Sequence, residues 1–135
     1  MDETIATFGF NAGKIWRSLN TDKALKEDSL LQKTQLNPDD FVAAVGWLAR
    51  EDKICRLDNS YQLGETNLMT KIGKDAGKVW KVLHIWDDVD VSFIARQARI
   101  DKEDVIAALG WLGREDKLQT TMVNPNNRQI IFRLK

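Results

Sequence analysis

Two phrases in this chain have the look of a phosphate-binding loop: Gly9-Phe-Asn-Ala-Gly-Lys14 and Gly73-Lys-Asp-Ala-Gly-Lys78. A nucleotide-binding P-loop needs four residues between its glycines and a Ser or Thr after the lysine, so that backbone amides wrap phosphate and a hydroxyl holds magnesium. Both copies are short by a residue, and Ile15 or Val79 stands where the hydroxyl belongs. Apolar Phe8, Ala12, Ile15, Trp16 and Leu19 run through the first phrase at helical spacing, as Ile72, Ala76, Val79, Trp80 and Leu83 do through the second. The phrases therefore read as helix, with small residues that let a neighbouring helix approach closely.

Other reactive side chains are thinly spread. His84 is the only histidine, and Asn20 occupies the matching place earlier in the chain, which suits a surface histidine better than a ligand. The Asp87-Asp88-Val89-Asp90 run reads as a solvated loop. Cys55 is alone, so neither a disulfide framework nor a cysteine metal site is expected. No nucleophile–base pair stands at a motif spacing. The expectation is a non-enzymatic protein with no cofactor, no metal and no small-molecule substrate.

The basic side chains offer a different chemistry. Lys71, Lys74, Lys78 and Lys81 fall within a sector of about 80° on one helix, opposite its apolar stripe. With Arg96, Arg99, Arg114 and Arg128 they could hold a phosphate backbone without reading bases. A solvated helix face is the plainer reading of the same stripe. Formal net charge is zero and the pI about 6.6, which is not the basic balance of most nucleic-acid-binding domains. Residues 1–64 carry 8 basic and 10 acidic side chains and residues 65–135 carry 12 and 10, so the second half is the better phosphate candidate.

These residues sit in a duplicated framework. Shifting the sequence by 64 positions aligns residues 9–53 with 73–117 without a gap, and 16 of those 45 pairs are identical. The longest shared phrase is AAVGWLAREDK at residues 43–53 and AALGWLGREDK at 107–117. The chain thus reads as a tandem of two units, residues 1–64 and 65–135, with a short linker near Gly64–Thr70. Its 135 residues, 43% hydrophobic and 30% charged, suit folded domains. The start, MDETIATFGF, lacks the basic opening and apolar run of a signal peptide, and the longest apolar run is too short for a bilayer, so a cytoplasmic protein with no membrane contact is expected.

Each unit reads as three helices followed by a hairpin. A short second helix is expected over Ser29–Thr34 and Phe93–Ala98, capped by Asp28 and Ser92. A third helix, capped by Asn37 or Asp101, runs to about Glu51 and Glu115. Alternating segments Ile54–Leu57 with Tyr61–Leu63, and Leu118–Val123 with Arg128–Leu134, form the hairpins. That makes an α+β, mainly α chain of two tandem winged helix-turn-helix domains. The third-helix pattern of Phe41, Val45 and Leu48, entering a strand through Arg50-Glu-Asp-Lys-Ile54, resembles the winged-helix superfamily. AGKIW with GWLARED is similar to a small uncharacterised prokaryotic winged-helix family. That resemblance implies DNA binding through the third helix and the wing, with protein interaction as a second use.

The third helix itself argues for the second use. Its outer side offers Val42, Ala43, Gly46 and Arg50 with Trp47 on the flank, and Ile106, Ala107, Gly110 and Arg114 with Trp111. Only the arginines are natural partners of DNA, and Asp39, Asp40, Glu103 and Asp104 at the helix starts would repel phosphate. A helix apolar nearly all round needs a second cover. The other unit, another copy of the chain or a different protein could supply it, or the tryptophans could fold back on their own unit. From the sequence, double-stranded DNA held by its backbone stands slightly ahead as partner. A protein partner or self-association through Val42, Gly46, Trp47, Arg50, Ile106, Gly110 and Trp111 stands close behind.

Overall fold

A computed structural model describes residues 2–124, 126 and 129–135. The first unit runs α1 (Glu3–Asp22), β1 (Ala24–Lys26), α2 (Glu27–Thr34), α3 (Pro38–Arg50), β2 (Ile54–Leu57) and β3 (Ser60–Leu63). The second runs α4 (Met69–Trp86), α5 (Val91–Ala98), α6 (Lys102–Arg114), β4 (Leu118–Asn124) and β5 (Gln129–Leu134). Three helices and an antiparallel hairpin in each unit are the winged helix-turn-helix arrangement.

Local chemistry sets the helix ends. Asn37 accepts a hydrogen bond from the Asp40 amide at 2.8 Å, and Pro38 follows in the first turn of α3, where its missing N–H has no partner to lose. Asp101 holds the matching position before α6 without a side-chain cap. The second helices start two residues earlier than Asp28 and Ser92 would have them. Asp90 caps α5 by accepting from the Phe93 amide at 2.9 Å, while α2 follows Lys26 without a side-chain cap. The acidic run at residues 87–90 is therefore partly structural: besides the Asp90 cap, Asp88 pairs with Arg133 at 3.3 Å.

A third strand had no clear signal in the sequence. The three residues of β1 pair antiparallel with β3, giving the order β1-β3-β2. The second unit reduces this to a single bridge between Val89 and Phe132, at the position that matches Leu25. Three residues, Ala24-Leu25-Lys26, are too few to show alternation. The second wing is a longer two-stranded hairpin with an irregular register between Met122 and Asn124.

The two units share their cores. Ile5 and Phe8 of α1 pack into the second unit's cluster with Val79, Leu83, Leu109 and Leu112. Reciprocally, Ile72 and Ala107 belong to the cluster built on Ile15, Leu19, Phe41 and Leu48. The first turn of α1 is tied across as well: the Asp2 carboxylate accepts from the Thr120 amide at 2.7 Å and the Thr120 hydroxyl at 2.6 Å, while also capping α1. At the start of α4, Thr66 donates its amide to Asp52 at 2.8 Å, and Asn67 bonds the Arg56 backbone of β2. Each first helix thus begins on the other unit and ends on its own.

Candidate functional site

The duplicated phrase lies where the units meet. A Cβ placed on Gly46 would overlap the Ala107 carbonyl group, and one placed on Gly110 would overlap that of Ala43. The helices α3 and α6 therefore touch backbone to backbone, which only glycine permits. Ala43 and Gly46 meet Gly110 and Ala107, while further along Arg50 and Glu51 meet Glu115 and Arg114. Matching levels face each other at both places, so the helices lie side by side and point the same way about a local two-fold axis.

The rest of the phrase completes this contact. Arg50 Nε lies 3.1 Å from Glu115, and Arg114 Nε lies 3.0 Å from Glu51. Each guanidinium also lies over the opposite tryptophan, Arg50 at 5.7 Å from the Trp111 ring centre and Arg114 at 5.9 Å from that of Trp47. Lys53 and Lys117 reach the same carboxylates from outside. Asp52 and Asp116 take left-handed backbone at φ 60° and 61°, ending the helices and turning the chain into the hairpins. Two expected locations of the tryptophans are realised together. Trp47 lies on Gly9 of its own α1 and Trp111 on Gly73 of α4, and each is roofed by an arginine of the other unit.

This arrangement places the third-helix candidates. Gly46 and Gly110 are buried between the units, Val42, Ile106, Trp47 and Trp111 are half-buried, and Arg50 and Arg114 close the edges. The side that would enter a major groove is covered by its twin. Arg114, expected as a phosphate contact, is engaged by Glu51 and Trp47 instead.

The lysine stripe is brought together only in part. Lys71 bonds Asp75 at 2.8 Å and Asp104 at 3.2 Å. Asp75 is buried, and its hydrogen bond with Lys71, joined by that of Asp104, holds the ammonium above the usual lysine range against the effect of desolvation. Lys71 is thus committed within the chain rather than open to phosphate. Lys74, Lys78 and Lys81 are exposed and have no ion pair among the described residues. Arg99 is exposed at the left-handed end of α5. Arg96 lies over the Phe93 ring, which meets Trp86 edge-on at 5.5 Å. Arg128 lies outside the described residues. His84 stacks on Trp80 with ring centres 4.9 Å apart. Among the described residues no group of three or more His, Cys, Asp or Glu side chains could hold a metal ion, and no helix is long and apolar enough to cross a membrane.

Sequence reasoning missed an open groove on the outer side of the first unit. Its floor is Gly9, Ala12 and Gly13 of α1, and its walls include Trp16 and Trp47. Arg17, Glu51 and Lys53 stand at its rim. At the matching positions the second unit has Gly73, Ala76, Gly77, Trp80 and Trp111, with Lys81, Glu115 and Lys117. Only Arg17 against Lys81 differs in type. The glycines of the first helix divide into two roles. Gly9 and Gly73 make room for the indole rings, whereas a Cβ on Gly13 would come no nearer than 3.4 Å to the Arg17 guanidinium, and one on Gly77 would meet nothing within 4 Å. The neighbouring third helix thus approaches over Gly9 and Gly73, through its indole, but not over Gly13 and Gly77. The signal was present in the repeat, since these are among its identical positions, but identity alone does not separate a packed glycine from an open one.

The fold and the paired third helices define a tandem winged helix-turn-helix protein. The family described as Winged helix-turn-helix domain (DUF2582) matches residues 1–64 and again residues 67–134, and the chain belongs to that family. No curated protein and no solved structure matches it.

Proposed function

We propose that the chain is a non-enzymatic protein-interaction module in which two winged-helix units act as one body and bind through their outer faces. The backbone contact of α3 with α6 carries this reading. Winged-helix DNA readers present the third helix to the major groove, and here the middle of that face, Ala43 with Gly46 and Ala107 with Gly110, is occupied by the other unit. The neutral net charge favours a protein partner over a polyanion. The outer faces retain exposed aromatic groups, with Trp16 and Trp80 each 38% exposed and Phe10 64% exposed. Aromatic side chains of this kind are enriched at protein interfaces.

One observation favours a second reading, nucleic-acid backbone binding by a transcription-associated module. Lys74, Lys78 and Lys81 form a basic face on α4 that has no ion pair among the described residues, with Arg99 on the helix that follows. Such a surface binds phosphate without sequence selection and weakens steeply with salt.

Titration of isotope-labelled protein with random-sequence duplex DNA, at low and near-physiological salt, separates the two. The protein-interaction reading expects no binding at near-physiological salt and no shifts on α3 or α6 at either. Tight binding that falls steeply with salt and is abolished by Lys74→Glu, Lys78→Glu and Lys81→Glu together would establish the second reading instead.

A further inference from the structure

We infer that the outer groove of the first unit, and the face of the second unit that carries the matching residues around the open Gly77, are docking sites for short acidic peptide segments that also carry an apolar side chain, so that one chain takes two such segments. The inference rests on the protein-interaction reading and specifies its partner. Three features of the groove argue for this occupant.

The first is the open glycine. Gly13 and Gly77 lie inside long helices, where glycine costs about 1 kcal/mol relative to alanine. Among the described residues nothing packs into the space over Gly77, and only the end of the flexible Arg17 side chain comes near Gly13. A missing side chain there leaves room for an incoming segment. The second is the wall. Trp16 and Trp80 stand beside these glycines half in solvent, flat apolar surfaces suited to an aliphatic or aromatic side chain.

The third feature is charge, and it sets the chemistry of the partner. The carboxylates at the groove, Glu51 and Glu115, are already neutralised by Arg114 and Arg50 from the opposite unit. The cations are not matched in this way. Arg17 and Lys81 have no ion pair among the described residues, nor do Lys14 and Lys78 one turn away. Lys14, half-buried, lies over the Phe10 ring, its ammonium 5.1 Å from the ring centre. An apolar floor under uncompensated positive charge fits a segment with carboxylates flanking its apolar anchor, and repels a basic one. Every groove position except Arg17/Lys81 is of the same type in the second unit, which extends the inference to its matching face.

The test is selection of a random dodecapeptide library on the intact protein, followed by calorimetry with the synthetic consensus peptide. Gly13→Leu and Gly77→Leu fill the two sites, and circular dichroism with thermal melting confirms that both variants stay folded. The expected result is an acidic consensus with at least one large apolar residue, binding two peptides per chain, one in either variant and none in the double variant. An acidic peptide that binds undiminished to the double variant would overturn the groove assignment while leaving a protein-interaction module elsewhere on the surface. A basic consensus would overturn the partner chemistry. No enrichment, together with salt-sensitive DNA binding lost in the Lys74, Lys78 and Lys81 variants, would overturn the proposal and the protein-interaction reading with it.

Discussion

Gly46 lies against the carbonyl group of Ala107 so closely that no side chain fits between them, and Gly110 lies against Ala43 in the same way. The atom in the path of a new Cβ is backbone, which cannot rotate aside as a side chain would. Gly46→Ala and Gly110→Ala should each destabilise the protein by about 3 kcal/mol, at the upper end of overpacking effects. Urea denaturation measures this directly. An unchanged midpoint in either variant would mean that the helices do not meet at that level.

The reciprocal ion pairs contribute less. Arg50 and Arg114 are close to half exposed, and exposed pairs yield well under 1 kcal/mol, even with a cation–π contact beside them. A double-mutant cycle with Arg114→Ala and Glu51→Ala should give a coupling of about 0.5 kcal/mol that shrinks in high salt. A coupling of several kcal/mol would show that charge, rather than glycine-enabled packing, joins the units.

The glycines of the first helices should respond in opposite directions. A Cβ on Gly9 would stand 2.7 Å from the Trp47 ring, so Gly9→Ala displaces the indole and lowers stability. Gly77→Ala meets open space and should raise stability by about 1 kcal/mol from helix propensity alone. Thermal melting of the two variants side by side checks this. A loss of stability in Gly77→Ala would reveal packing over that position.

Asp2 links stability to pH. Burial works against its charged form, but hydrogen bonds from the Thr120 side chain and amide and from the Ile5 and Thr4 amides outweigh that and hold its carboxyl below the ordinary 3.8. A depressed carboxyl stabilises the fold above its unfolded pKa, and the contribution is lost as pH falls through the folded value. Between neutral pH and about pH 5 the effect is constant; below about pH 4 it declines. Asp2→Asn should therefore melt lower than the parent at neutral pH, with the gap closing toward pH 2. A gap that widens with acid would contradict the sign.

Much of the architecture is legible in the sequence because it is written twice. The stripe through Phe8, Ala12, Ile15 and Leu19 gives the first helix, Asn37-Pro38 gives the start of the third, and the apolar outer side around Gly46 requires a second cover. What single-chain periodicity cannot say is which surface supplies that cover. The decisive partners of Gly46 and Arg50 are about 60 residues away and are copies of nearby residues, so any local reading fits them equally well. The lysine stripe shows the opposite limit. Helical spacing places Lys71 correctly on the face, but its capture by Asp104 depends on where α6 packs. The groove was hidden for the same reason: Gly9 and Gly13 look alike until the indole is placed over one of them.

The claim that the third helices cover one another is tested most directly by nuclear Overhauser contacts in solution. The account predicts contacts from the Gly46 Hα protons to Ala107 and from the Gly110 Hα protons to Ala43, in the free protein and unchanged when duplex DNA is added. Their absence, with Gly46 and Gly110 instead exposed to solvent or shifting on contact with DNA, would contradict it and return the third helices to the role of DNA readers.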